Sequence, residues 1–283
     1  MKKLSVLLVF VAVLFTMTAC TELSDPGVHY ISAKSDINDL TDATIDMIVD
    51  SLIKDMSLDE KIGQMFIVDF TAFEQSKKSV KNAELSKKFK KRMQLYPVSG
   101  FIYYSWDVKT REQVISFNKE LQAETDCPLF IAVDEEGGRV SRVFSNPDMA
   151  VEEIPAMATV GASADASECK KIYTNIGTEL KKLGFNVDFA PVADIYDDSL
   201  GDYSSSVAEI ADRSFGSDVS ICSKMVSAAV KGLNSTGMIA TLKHFPGMRA
   251  ASSDTHIKAA NVKSDIAELR EVDFKPFISG IKA

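Results

Sequence analysis

The chain has 283 residues, 46% of them apolar and 25% charged, enough apolar material to bury a substantial core, so disorder is not the expected state. Its 32 basic and 40 acidic side chains sum to a formal charge of −8, which disfavours a nucleic-acid backbone as partner. Four widely spaced cysteines without a C-x-x-C pair exclude a disulfide framework and a zinc-ribbon site, and Cys127, Cys169 and Cys222 are expected as small buried apolar residues.

The first nineteen residues differ from the rest. Lys2 and Lys3 precede an uncharged run from Leu4 to Phe15, too short to span a bilayer, and small residues lead up to Cys20. This pattern predicts a secretory signal over 1–19. The residues ahead of Cys20 resemble a bacterial lipobox, with Met17 where Leu is usual. That resemblance implies lipid modification of Cys20 and a membrane-anchored lipoprotein on the extracytoplasmic side of a bacterial envelope. Ordinary cleavage near Ala19 and free secretion is the alternative. Removal of the segment takes away both lysines and moves the formal charge from −8 to −10. Residues 20–40, polar and weakly patterned, suit a tether, and His29 has no assigned role there. The remaining 41–283 is read as one domain.

From Thr41 a helical apolar period runs through Ile45, Ile48, Leu52, Ile53 and Met56. Ser57-Leu58-Asp59-Glu60 is a capping-box pattern that predicts a second helix. Apolar runs suited to buried strands then occur at 65–70, 98–104, 129–134, 187–192 and 238–244. Helical periods lie between them: Val114, Phe117 and Leu121; Ile172 to Leu183, closed by Gly184; and Val219 to Leu233, ended near Gly237. Such alternation predicts a parallel α/β sheet. No G-x-G-x-x-G follows any run, which removes the main support for a nucleotide-binding open sheet. Polar residues gather instead at run ends, at Asp134, Asp194 and Lys243-His244. A (β/α)8 TIM-type barrel would collect them at one mouth. About five βα units are legible, so the barrel is expected to be incomplete.

Four stretches could carry chemistry. FNVDFAPVADI (185–195) is a strand whose Pro191 implies an irregular end with Asp194 close to it, and it reads equally as a core strand with a capping Asp. DEEGGRVSR (134–142) puts three acids, two glycines and two arginines after a strand; it reads as a charged turn or as a ligand loop in which Asp134 accepts from hydroxyls and Arg142 donates to the same ligand. ADRSFGSD (211–218) offers Arg213 before a turn. KHFPG (243–247) places Lys243 and His244 next to each other at a strand end, where strand alternation would send them to opposite sides and to separate roles. The loop beyond it reaches Asp254 and His256. An Asp two residues before a His can fix its tautomer and raise its pKa, suiting it to proton transfer near neutrality; a surface histidine with a helix-capping Asp is the plainer alternative. No third ligand of suitable spacing supports a metal there.

Taken together, MSLDEKIGQMF (56–66), DEEGGRVSR (134–142), EIPAMATVG (153–161), GFNVDFAPVADI (184–195), RSFG (213–216), KHFPG (243–247), DTH (254–256) and LREVDFKPF (269–277) resemble glycoside hydrolase family 3, in particular its bacterial β-N-acetylglucosaminidases. The resemblance implies a barrel domain that hydrolyses β-linked N-acetylhexosamine with retention, on peptidoglycan fragments or chitin-type oligomers, without cofactor or metal. It implies that Asp134, Arg142, Arg213, Lys243 and His244 hold the non-reducing sugar and that His256, oriented by Asp254, is the general acid and base, the role a second carboxylic acid has in most retaining glycosidases.

Two departures accompany the resemblance. The family usually reads His-Gly after KHFPG, whereas Met248 and Arg249 stand here, so altered packing and flexibility of the loop are expected. The nucleophilic carboxylate that retention requires belongs to a later strand, beyond the point corresponding to Ala283, and no residue here matches it. The chain is therefore expected to be the amino-terminal part of such an enzyme, inactive or marginally folded alone. A sugar-binding lipoprotein without turnover is the alternative of another class, and a β-glucosidase or xylosidase of the same family a weaker one.

Overall fold

The computed structural model of the chain describes residues 41–74, 85–197, 206–253, 259–262 and 264–283. The readings of the signal segment, Cys20 and the tether, and of Asp254 and His256, lie outside the described residues. In chain order the elements are α1 (Asp42–Asp55), α2 (Leu58–Gly63), β1 (Ile67–Asp69), α3 (Phe70–Glu74), α4 (Lys87–Leu95), β2 (Gly100–Tyr103), α5 (Arg111–Ala123), β3 (Phe130–Val133), a 3-10 turn (Pro147–Met149), α6 (Met157–Ala162), α7 (Ala166–Lys182), β4 (Val187–Asp188), α8 (Ser206–Arg213), α9 (Val219–Asn234), β5 (Ile239–Ala240), α10 (Ile266–Glu271) and α11 (Phe274–Ile281).

Each predicted apolar run contains one strand, and the strands stand in the sheet in the order β1-β2-β3-β4-β5. The sheet is parallel, with Ala132 opposite Val187 and Val187 opposite Ile239 in register. A doubly wound sheet reverses its strand order at a switch point. This one never reverses, and a helix-bearing connection separates successive strands, so the architecture is the winding of a TIM-type barrel with five βα units present.

The chain divides into two compact units. Among the described residues, 41–74, 85–101 and 119–130 make the first; 102–118, 131–197, 206–253, 259–262 and 264–283 make the second. In the first, Phe70, Phe73, Phe89 and Phe101 form an aromatic core, with Phe70 stacked on Phe101 at 5.0 Å between centroids and Phe73 meeting it edge-on at 5.1 Å. The capping box predicted at Ser57 is present: the Glu60 amide donates to the Ser57 hydroxyl, and the Glu60 carboxylate accepts the Ser57 amide at 2.7 Å.

In the second unit α7 buries Cys169, Tyr173, Ile176 and Leu180, and α9 buries Cys222, Met225, Val226, Ala229 and Leu233. Burial pushes the thiols of Cys169 and Cys222 up to about 12, so both stay neutral and behave as the small apolar residues expected; Cys127 is only partly buried. Gly184, with φ +91°, closes the turn from α7 into β4 in a left-handed conformation that other residues avoid.

The paired strands are shorter than the apolar runs that predict them. β4 ends at Asp188 and β5 at Ala240, and beyond them an isolated parallel bridge between Val192 and Lys243 continues the pairing. The residues of interest therefore stand just past the strand ends, where irregular backbone can aim them.

Candidate active site

The loop leaving β3 begins Asp134-Glu135-Glu136, and alternation along it sorts the three acids by face. Asp134 and Glu136 meet Lys243, whose Nζ lies 2.6 Å from Asp134 Oδ1 and 2.6 Å from Glu136 Oε1. Glu136 is also gripped by Arg213, with Nε donating to Oε2 at 2.7 Å and Nη2 to Oε1 at 2.8 Å, the two-pronged geometry that makes guanidinium-carboxylate pairs strong. Burial pushes the Glu136 carboxyl up, but Arg213 and Lys243 outweigh burial and hold it below the ordinary carboxylate range. Two carboxylates and two cations thus balance in a cluster with Glu136 buried at its centre.

Glu135 turns the other way, into the core. Its Oε2 accepts the backbone N–H groups of Arg142 and Val143 at 2.9 and 2.8 Å, wrapping the loop around the carboxylate, and its own amide donates to Asp188 Oδ1 at 3.0 Å. Burial raises the pKa of Glu135 and holds that of Asp188 well above the ordinary range. Gly138 lets the segment 153–161 lie against this loop, because a Cβ there would come within 2.7 Å of Ala156 Cα.

Lys243 and His244 arrive from the β5 side. They do not part to opposite faces, as strand alternation predicts: the regular pleat has ended at Ala240, and both side chains reach the same pair, Lys243 contacting Glu136 and His244 Nε2 lying 3.3 Å from Arg213 Nη2. Asp194, fully buried beyond β4, holds this corner. Its Oδ2 takes the His244 backbone N–H at 3.1 Å and lies 2.5 Å from His244 Nδ1, while Oδ1 accepts the Met248 amide at 2.8 Å. With one imidazole nitrogen on a carboxylate, the other is presented to Arg213 in fixed orientation.

Arg249, in the loop after KHFPG, forms a clamp. Arg249 is buried and donates through Nη2 to Asp273 Oδ2 at 3.0 Å, Glu268 Oε1 at 2.7 Å and Ser264 Oγ at 3.2 Å. It ties the loop after KHFPG to α10 and to the start of α11.

Of the residues predicted to hold a ligand, Asp134, Arg213, Lys243 and His244 are drawn into one hydrogen-bonded cluster. Arg142 is not drawn into it: its amide donates to Glu135, which faces the core, and its Nε is buried without a hydrogen-bond partner. Sequence reasoning does not single out Glu136, and it places Asp194 at the expected mouth without giving it a role. The signal for Glu136 is its position two residues after Asp134, on the same face; Asp194 offers only its place near a strand end. Among the described residues no group of three or more His, Cys, Asp or Glu could hold a metal ion, and no helix is long and apolar enough to cross a membrane.

Residues 57–283 match the family model described as the Glycosyl hydrolase family 3 N terminal domain. A Beta-hexosaminidase of Idiomarina loihiensis is 31% identical over 207 residues, 72% of this chain and 59% of that protein. Beta-hexosaminidase A of Pseudoalteromonas piscicida is 30% identical over 242 residues, 81% of this chain and 39% of that protein. Among solved structures, a glycoside hydrolase family 3 β-N-acetylglucosaminidase from Paenibacillus sp. FPU-7 superposes with a TM-score of 0.66 at 30% identity, covering 80% of this chain and 40% of that one. NagZ from Neisseria gonorrhoeae superposes at 0.64 with 26% identity, covering 77% and 60%. The chain thus spans between about two fifths and three fifths of the length of these proteins.

Proposed function

Because the chain belongs to glycosyl hydrolase family 3 through that family's N-terminal domain, we propose that the cluster at its strand ends is a cradle for a terminal β-linked N-acetylhexosamine and serves hydrolysis of that unit from peptidoglycan or chitin-type saccharides. The observation that carries this reading is convergence. Asp134 and Glu136 after β3, Asp194 after β4, and Lys243 and His244 after β5 join in one network with Arg213. In a TIM-type sheet, binding and catalytic groups come from the C-terminal ends of several strands.

The proposed roles follow from the chemistry of each group. Asp134 accepts hydrogen bonds from sugar hydroxyls, and Arg142, Arg213, Lys243 and His244 donate. Charges that are already paired before a ligand arrives are held in place, so a neutral polyol binds without reorganising them. Asp254 and His256 complete the reading as the orienting carboxylate and the proton shuttle; no residue of this sequence is assigned as nucleophile. The names of the similar hexosaminidases support the substrate class. A lipid on Cys20 and a place on the extracytoplasmic side of a bacterial envelope belong to the same proposal.

Calorimetric titration of the full chain with N-acetylglucosamine tests the cradle. Lys243→Ala and Arg213→Ala are expected to abolish measurable binding, and wild-type affinity in both would refute the cradle. The proton role is tested on an aryl β-N-acetylglucosaminide with a protein that carries this sequence together with the later strand expected to supply the nucleophile: His256→Ala should cut turnover severely with a modest change in binding. Sugar binding by that protein with no chromophore release supports the sugar-binding alternative instead.

A further inference from the structure

The loop leaving β2 carries the only tryptophan of the chain. Trp106 is 51% exposed, an unusual position for so large an apolar surface. Its indole stacks on Tyr104 with centroids 4.8 Å apart and planes 27° from parallel. The turn beneath is closed twice, by the Asp107 amide donating to Tyr104 O at 2.9 Å and by the Tyr104 amide donating to Asp107 Oδ2 at 3.1 Å, and Asp107 is buried.

This loop is fastened to the one that carries the cradle acids. Asn146 Nδ2 donates to Val108 O at 3.1 Å, and Arg111 Nη1 donates to Met149 O at 3.0 Å; Asn146 and Met149 lie on the connection that begins at Asp134. β2 and β3 are neighbours in a parallel sheet, and neighbouring strands run ~4.8 Å apart. The aromatic pair therefore stands at the same sheet end as Asp134, one strand away.

The geometry points to a stacking platform made by Tyr104 and Trp106 for a second sugar ring, the residue next to the one held by Asp134, Arg213 and Lys243. This inference rests on the cradle reading. A β-linked pyranose with equatorial substituents presents axial C–H groups on its flat face, and their weak positive charge suits the negative face of an aromatic ring. With Tyr104 backing the indole and the turn locked from both sides, little side-chain freedom is lost when a ring settles on it.

Trp106 reports on its own occupancy, because no other tryptophan contributes emission. The full chain is titrated with N-acetylglucosamine and with the sulfur-linked, non-hydrolysable β-1,4 dimer of the same sugar, by calorimetry and by tryptophan fluorescence. The dimer is expected to change the emission and the monosaccharide to bind without changing it. Trp106→Ala should weaken the dimer by roughly three- to tenfold and leave the monosaccharide unaffected, with Trp106→Phe keeping most of the dimer affinity. Dimer binding with unchanged emission in the wild type, or equal dimer affinity in Trp106→Ala, overturns the platform while the cradle stands. If the wild type binds neither sugar, the cradle reading fails and the platform with it.

Discussion

Asp194 serves three groups with two oxygens: the His244 amide, the His244 ring and the Met248 amide. Asp194→Ala removes every acceptor at once and leaves two backbone donors to find water, at about 1–3 kcal/mol for each that stays buried. We expect a lower denaturation midpoint and a loss of N-acetylglucosamine affinity together; a stable variant of unchanged affinity would show that His244 needs no anchor. Arg249 faces the harsher balance, because Asp273 is buried against it. Arg249→Met should cost about 3–5 kcal/mol by stranding that carboxylate, and Arg249→Lys less, since an ammonium keeps the charge without the planar fork. Chemical denaturation measures both. The strand-end position of Asp194 is visible in the sequence, and Arg249 is visible as a departure, but their partners lie 15 to 54 residues away and no local pattern names them.

Local rules govern the elements themselves. The capping box at Ser57, the turn at Gly184 and the apolar periods of α7 and α9 all form where their residues predict, because each depends on contacts within a few residues. Strand extent is different: β4 and β5 pair over only two residues each, since what terminates a ladder is the neighbour's departure. Gly161 in α6 shows tertiary contact overriding propensity. Alanine is favoured over glycine in a helix by about 1 kcal/mol, yet a Cβ at Gly161 would lie 1.9 Å from the Phe215 carbonyl oxygen, rigid backbone that cannot yield cheaply. Gly161→Ala is accordingly expected to lower the melting temperature, and a rise would mean that the RSFG segment moves aside freely.

Across the whole molecule, buried carboxylates pull stability in opposite directions with pH. Asp188 holds its proton more tightly folded than unfolded, so stability falls as pH rises from the ordinary carboxylate range, about 4, through its raised value. Glu136 has the opposite sign: its contribution is present above the ordinary range and is lost as pH falls through its lowered value. Asp188→Asn should flatten the decline on the alkaline side and spare the loss on the acid side, as followed by melting temperature across the acid and neutral range. An unchanged profile would mean that Asp188 does not titrate differently on folding.

The sequence alone determined the succession of strands and helices, because that rests on periodicities and turn chemistry read over a dozen residues; the islands that place the chain in its family act as a resemblance, and the unreversed strand order of the TIM-type winding was decided by the structure. Only the tertiary structure decided which acid meets which base. Lys243 reaches Asp134 across 109 residues, Arg213 reaches Glu136 across 77 and His244 reaches Asp194 across 50. Such pairings exist because parallel strands bring distant segments to one sheet end, and a linear pattern carries no record of that proximity.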